Sequence, residues 1–199
     1  MSRPPHPLAI PQSSCSPAEF SAEERRFLLQ TAHQAILAAF HRSEEPPSPS
    51  SRHLQEYRGV FTTLYLDGSL RGCVGYAAPV APLHQAVVES ARAAAFEDGR
   101  FRPVAEPEAP RLLISLSVLS RLFPIQPDQI EVGRHGLVVS NGHQRGLLLP
   151  QVPLEHNWDR QTFLEQTCRK AGLVLDAWRQ GASLEAFTAE VFGDEGTEL

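Results

Sequence analysis

The chain has 199 residues, a formal net charge of −5 at pH 7 and 42% hydrophobic residues. That length and composition are sufficient for one globular domain, or two closely packed subdomains, with a substantial core. An acidic balance argues against a broad nucleic-acid surface because binding phosphates requires clustered Lys and Arg, and no apolar run approaches the roughly 20 residues that span a bilayer.

The amino terminus has no apolar segment of the secretory type, so we expect a cytoplasmic protein. The cysteines, Cys15, Cys73 and Cys168, lie far apart and form no Cys-x-x-Cys pair, a pattern typical of reduced thiols. The eight histidines lack the paired spacing of a helical zinc site. We therefore expect neither a bound metal nor a cofactor.

Residues 1–18 are rich in Pro and Ser and lack periodicity, which predicts a flexible tail before a single domain of residues 19–199. Ser21 and Glu24 have the spacing of a capping box. Apolar residues then recur at helical spacing and predict a helix over 21–41.

A proline-containing segment, 43–51, predicts an exposed loop after this helix. β-Branched and aromatic residues predict a strand over 60–66, and Asp67-Gly68 predicts a hairpin turn into a second strand over 70–76. An alanine-rich apolar stripe predicts a helix over 82–96 that packs closely against the second strand.

The second strand carries residues that make poor core material. Arg71 and Cys73 share one face, and Gly72 and Gly75 indicate close approach of another backbone or a ligand. A positive charge favours a neighbouring thiolate, and a guanidinium suits carboxylate or phosphate, so this stretch is our candidate site. Alternatively, Cys73 is a small buried hydrophobic residue and the glycines serve backbone geometry.

The loop after the alanine-rich helix crowds an acid, a base and an aromatic side chain together, as Asp98, Arg100 and Phe101. We expect Gly99 to end the helix and permit the turn. Asp98 and Arg100 either form a clamp that shapes the loop or take part in the site.

The remaining chain alternates strands and helices. Residues 112–119 predict a strand with one buried face, and Asn141-Gly142 predicts a hairpin after the glycine-flanked turn at 133–136. Asp159 is expected to cap a helix that buries Cys168 and closes at Gly172. The segment 186–192 alternates like a strand, although a short helix fits it too.

Residues Leu70–Gly75 read Leu-Arg-Gly-Cys-Val-Gly and closely resemble the Leu-Arg-Gly-Cys-Ile-Gly signature of the AmmeMemoRadiSam system protein A family. Further matching segments follow in order: 94–96, 98–101, 117–119, 133–137, 149–152, Trp158, 163–164, Cys168 and 170–173. The resemblance extends from about residue 20 to the end, with Val74 and a proline-rich 106–110 as the main departures.

The resemblance implies an α+β fold, with an antiparallel sheet flanked by helices, a smaller subdomain packed beside it and a cleft between them that the signature faces. It also implies a Memo-type protein and a radical SAM protein as partners. No established reaction comes with the resemblance, and roles as a regulatory protein of basic cellular machinery are compatible with it.

Two functional interpretations follow. In the first, the protein is a cysteine-dependent enzyme acting on a small anionic metabolite, with Cys73 as nucleophile, Asp98 orienting Arg100 or a histidine, and His135, His156 or His84 as base. The expected ligand-binding residues are Arg71, Gly72, Gly75, Arg100, Phe101, Gln151 and Trp158. In the second, the protein is a non-catalytic ligand-binding or docking module of the same system. A histidine within hydrogen-bond reach of Cys73 would favour the enzyme.

Overall fold

The computed structural model describes residues 18–41, 49–195 and 197. The described chain divides into two compact units. The first unit contains the residues up to Leu119 and those from Glu190 onward, and the second unit contains Ser120–Ala189. The predicted tail of 1–18, except residue 18, and most of the predicted loop of 43–51 lie outside the described residues.

The first unit is built on a four-stranded sheet in which β1 pairs antiparallel with both of its neighbours. The strand order is β2-β1-β3-β8. Its elements are α1 (Ala22–Leu37), β1 (Val60–Leu66), β2 (Ser69–Tyr76), α2 (Leu83–Phe96), β3 (Leu113–Leu119) and, from the end of the chain, β8 (Ala189–Gly193). The predicted antiparallel α+β fold is confirmed.

The capping box predicted before α1 is present. Ser21 accepts from the backbone N–H of Glu24, and the Glu24 side chain accepts from the backbone N–H of Ser21. The helix ends at Leu37, earlier than the predicted residue 41, and the chain continues in turns. Its buried face, including Leu28 and Ile36, belongs to the core that covers one face of the sheet.

The predicted hairpin joins β1 to β2 through Asp67 and Gly68, which have φ angles of 50° and 76°. Positive φ at both central residues is the requirement of a type I′ turn. A bulge at Leu64/Tyr65 then shifts the register by one residue, so that Arg71 has no partner on β1. Consequently the residues after Arg71 take the register that pairs Thr63 with Cys73.

Helix α2 lies directly against β2, as the alanine stripe predicts. A Cβ atom added to Gly72 would lie 2.1 Å from the backbone oxygen of Ala94, far closer than atoms can approach. Thr62, on the same face of the sheet, forms a buried hydrogen bond of 2.7 Å with Ser90 of α2. Only glycine at position 72 allows the helix backbone to come this close to the strand.

The second unit contains another four-stranded antiparallel sheet, in the order β4-β7-β5-β6. Its elements are β4 (Phe123–Pro124), β5 (Gly136–Asn141), β6 (Gln144–Leu148), α3 (Val152–Glu155), α4 (Arg160–Lys170) and β7 (Ser183–Phe187). The short elements β4 and α3 are additions to the elements that the sequence predicts.

Several local predictions in the second unit are confirmed. Gly142 (φ 59°) is the first central residue of the β5–β6 turn, where a type II′ turn needs a positive φ. Asp159 caps α4 by accepting from the backbone N–H of Thr162 at 2.8 Å, and Gly172 follows the helix with φ 73°. Cys168 is completely buried. The segment 186–192 is extended and contributes to two strands, β7 and β8, that are separated by Thr188.

The prediction that Gly99 ends α2 and permits the turn is wrong. The helix ends at Phe96, and Glu97 is its C-terminal cap. Gly99 is absent from the residues with positive φ, and a Cβ atom there would meet nothing within 4 Å. Any small residue would fit at this position.

The contrast between these two glycines gives a stability prediction. We expect Gly72→Ala to lower the free energy of unfolding by about 2–3 kcal/mol or more, because α2 must move away from β2. Gly99→Ala is the matched control, and we expect a change between zero and a gain of about 1 kcal/mol, since its main effect is on the unfolded chain. Urea denaturation of both variants measures the difference, and equal stabilities would contradict the close approach.

Candidate functional site

Cys73 lies on the edge strand of the first sheet, on the face opposite α2. Its cross-strand partner is Thr63, whose hydroxyl donates a hydrogen bond to the Cys73 Sγ at 3.3 Å. The pair is of the type that is not joined by backbone hydrogen bonds, because the Cys73 N–H points away from β1, and side chains are closest in such pairs. The thiol is half-buried.

Asp98 and Arg100 cover the free edge of β2 at Cys73. The Cys73 N–H donates to Asp98 Oδ2 at 2.9 Å, and Arg100 donates to the Cys73 carbonyl oxygen at 3.2 Å. Arg100 also donates to both carboxylate oxygens of Asp98, at 2.9 and 2.7 Å. The two side chains thus supply the acceptor and the donor that a neighbouring strand would supply.

Asp98 and Arg100 stabilise each other's charged form through these hydrogen bonds. The hydrogen bonds from Arg100 hold the pKa of the Asp98 carboxyl well below its usual range, and the Cys73 N–H adds to this effect. The Asp98 side chain is only 7% exposed, whereas that of Arg100 is 59% exposed and lies 5.5 Å from the centre of the Phe101 ring. Asp98 is therefore a buried acceptor that joins the loop to Cys73, and Arg100 covers it on the solvent side.

Arg71 binds the segment that follows α2. Its guanidinium donates to both carboxylate oxygens of Glu108, at 3.3 and 2.9 Å. It also donates to the backbone oxygens of Arg102 at 2.8 Å and Pro103 at 3.2 Å. The hydrogen bond from Arg71 lowers the pKa of Glu108. All three nitrogen atoms of the guanidinium are used within the protein.

The two glycines of the signature have packing roles. Gly72 allows the approach of α2 described above. A Cβ atom on Gly75 would lie 2.3 Å from the backbone oxygen of Val60 and 2.4 Å from the Cα atom of Phe61. Both glycines are therefore required by neighbouring backbone, and ligand contact through them remains a prediction.

None of the four histidines in the described part of the first unit bonds to the Cys73 thiol. His33 pairs with Asp194 at 2.8 Å, and His84 donates from Nδ1 to the backbone oxygen of Leu54 at 3.1 Å. His53 bonds to Glu24 at 3.2 Å, and His41 lies 3.7 Å from Glu106. Within this unit, the only hydrogen-bonding side chain that the described residues bring to the Cys73 Sγ is that of Thr63.

The other predicted site residues belong to the second unit. His135 is buried, and its Nδ1 accepts from the backbone N–H of Glu131 at 3.1 Å. Burial lowers the pKa of His135 and favours the neutral ring. His156 stacks on Trp158 with 4.7 Å between ring centres, and Gln151 is exposed at the start of α3. The catalytic and binding roles assigned to these residues stay predictions.

The described residues contain no group of three or more His, Cys, Asp or Glu side chains arranged to hold a metal ion. Within the same residues, no helix combines the length and apolar character needed to cross a membrane.

Two polar partners of the signature are absent from the sequence prediction. Thr63 could be found by counting back from the Asp67-Gly68 turn only if the bulge at Leu64/Tyr65 were known, since the bulge changes every later pair by one residue. Glu108 lies 37 residues from Arg71. Its proline-rich surroundings give no local signal of that contact.

Comparison with known proteins identifies close relatives. The AMMECR1 family model matches residues 29–192. Protein MK0488 of Methanopyrus kandleri is 40% identical over 90% of this chain and 93% of its own length, and a Thermococcus onnurineus protein is 42% identical over 85% of this chain and 89% of its own. The crystal structure of uncharacterized protein PH0010 from Pyrococcus horikoshii matches with a TM-score of 0.65 at 40% identity, covering 85% of this chain and 90% of that one.

The buried Asp98 carboxylate predicts a pH dependence of stability. Because its folded pKa is lowered, its contribution is complete above the ordinary carboxyl pKa of roughly 4 and is lost as the pH falls below that value. We expect Asp98→Asn to lower the free energy of unfolding by about 1–2 kcal/mol at pH 7. Below roughly pH 4 the difference between wild type and Asp98→Asn should shrink. Urea titrations from neutral to acidic pH measure this, and a constant difference would contradict it.

Proposed function

The chain belongs to the AMMECR1 family, and we propose that it is a non-catalytic docking or ligand-binding module of the AmmeMemoRadiSam type. Its proposed partners are a Memo-type protein and a radical SAM protein, and its proposed location is the cytoplasm. The ordered motifs of the chain, beginning with the signature Leu70–Gly75, support this assignment.

The observation that carries the proposal is the internal use of the signature's arginine. Arg71 makes four hydrogen bonds to Glu108 and to two backbone oxygens. These bonds use four of the five N–H donors of the guanidinium, so an anionic substrate would have to compete with Glu108 and with the two backbone oxygens for Arg71. This arrangement favours a signature that fixes the shape of a surface over one that holds a reacting group.

The surroundings of the thiol support the same conclusion. A cysteine nucleophile is ordinarily activated by an adjacent base. In the first unit the described histidines have other partners, and the Asp98 carboxylate is saturated by Arg100 and the Cys73 N–H. Neither these histidines nor Asp98 is therefore placed to take the proton of Cys73.

A cysteine-dependent enzyme acting on a small anionic metabolite is the second candidate. The observation in its favour is the Thr63 hydroxyl, which donates to the Cys73 Sγ at 3.3 Å beside the guanidinium of Arg100. A donor and a positive charge both favour a thiolate over a thiol. In this interpretation Thr63 and Arg100 assist the thiol in place of a histidine.

Substitution of the thiol separates the two candidates. We expect Cys73→Ala to bind the Memo-type protein or the radical SAM protein, in titration calorimetry, with a Kd within about threefold of wild type, and to keep any activity that the partners show together. Retained binding with loss of that activity would favour the enzyme. Failure of the unaltered chain to bind either partner would contradict the proposed partners.

Alkylation measures the reactivity of the thiol directly. In a Cys15→Ser background, we expect iodoacetamide at neutral pH to label Cys73 at no more than the rate of an ordinary exposed thiol, and Cys168 only after unfolding, since it is buried and its pKa is raised by burial. The Thr63→Val variant is the control. Labelling of Cys73 that is roughly tenfold faster than that of a free thiol, and that Thr63→Val slows, would favour the enzyme instead.

A further inference from the structure

The outer edge of the sheet in the second unit has unpaired backbone groups. The two-residue turn makes Asn141 and Gln144 a hydrogen-bonded pair. From there, non-hydrogen-bonded and hydrogen-bonded pairs alternate along the hairpin. Arg145 and Leu147 of β6 belong to the non-hydrogen-bonded pairs, so their N–H and C=O groups point away from β5. No other described residue bonds to these four groups.

This edge differs from that of the first sheet. On β2, the outward N–H and C=O groups of Cys73 are covered by Asp98 and Arg100. Proteins commonly cover or interrupt exposed edges because an open edge can pair with another extended chain. At the other end of the second sheet, β4 has only two residues, one of them Pro124. The centre of the β6 edge is neither covered by hydrogen-bonding side chains nor interrupted by proline.

Positive charges flank the β6 edge on both faces of the sheet. A Cβ atom on Gly146 would lie 2.3 Å from the backbone nitrogen of Ala171, so the end of α4 lies directly over the strand. That last helical turn contributes the exposed Arg169 and Lys170. Arg145, one residue before Gly146, is exposed on the opposite face.

These three cations have no acidic partner among the described residues. The ion pair between Arg134 and Glu131 in the second unit involves none of them. Arg169 and Lys170 also complement the dipole of α4, but that interaction uses none of their capacity to bind a carboxylate. The edge is thus open to backbone hydrogen bonds and lies between unpaired positive charges.

We propose that the β6 edge binds an extended acidic segment of a partner polypeptide by adding it to the sheet as a fifth strand. Backbone groups of the segment would pair with Arg145 and Leu147, which gives affinity, and its carboxylates would meet Arg145 on one face and Arg169 and Lys170 on the other. A second copy of this chain fits less well, since pairing two β6 edges would bring like charges together.

The β6 edge adds a second surface to the proposed docking function and does not depend on the β2 signature. Its ligand is an extended chain with carboxylates. Loss of the β6 interaction alone would leave docking through other surfaces untouched, and absence of the proposed partners would leave peptide binding at β6 untouched.

A set of synthetic peptides tests the proposal with the full chain. The probe is a fluorescein-labelled octapeptide in which Val-Val and Glu-Glu pairs alternate, so that both faces of the added strand carry carboxylates, and binding is followed by fluorescence anisotropy at low salt. We expect saturable binding below roughly millimolar peptide. Methylating alternate backbone nitrogens on the pairing edge, or replacing Glu by Lys, should each weaken binding at least about tenfold. Equal binding of the N-methylated peptide would overturn strand addition in favour of simple charge attraction.

Protein variants locate the binding edge. Arg145→Glu should weaken binding about tenfold, whereas Arg160→Glu, which makes the same charge change at the other end of α4, should change it less than threefold. Leu147→Pro should also weaken binding while the chain stays folded, because it removes an outward N–H that the ladder does not use. In wild type, bound peptide should slow hydrogen exchange of the Arg145 and Leu147 amides.

Three outcomes would overturn the proposal. They are no binding of the Val/Glu peptide at roughly millimolar concentration, an equal loss of affinity in Arg145→Glu and Arg160→Glu, and a stable dimer in sedimentation whose interface protects the Arg145 and Leu147 amides.

Discussion

The arrangement of the first unit depends on the contact between the backbone of α2 and the strand that carries the signature. Gly72 has no side chain to separate them, so the Ala94 carbonyl lies where a Cβ atom would be. This contact places the end of α2 beside the edge of β2. The loop that follows can then bring Asp98 and Arg100 to Cys73, and Glu108 to Arg71. Each of these polar contacts joins the loop to the same strand, so they support one another.

The polar residues of the signature consequently have a structural explanation. Arg71 holds the loop after α2 through one carboxylate and two backbone oxygens. The Asp98 and Arg100 pair satisfies the outward backbone groups of Cys73 and prevents another chain from pairing there. The sheet of the second unit leaves the corresponding groups of β6 uncovered. The two edges therefore suit different roles, the first a fixed surface and the second a place for an added strand.

Features set by short-range chemistry were predictable from the sequence. The Ser21 capping box, the Asp67-Gly68 turn, the Asp159 cap and the burial of Cys168 each follow from residues a few positions apart. Features set by distant contacts were not. The bulge at Leu64/Tyr65 changes the partner of Cys73, and Arg71 finds Glu108 across 37 residues. Gly99 resembled a helix terminator, yet α2 ends earlier and the loop is held by the Asp98 side chain instead.

We infer that Arg71 serves the structure and not a ligand, and a double-mutant cycle with Glu108 distinguishes these two roles. The free energy of unfolding is measured for wild type, Arg71→Met, Glu108→Gln and the double variant. We expect each single change to be destabilising and the pair to show a coupling energy of about 1–2 kcal/mol, because the two side chains share hydrogen bonds. Additive effects on stability, together with loss of binding of a small anion such as phosphate in Arg71→Met, would contradict it.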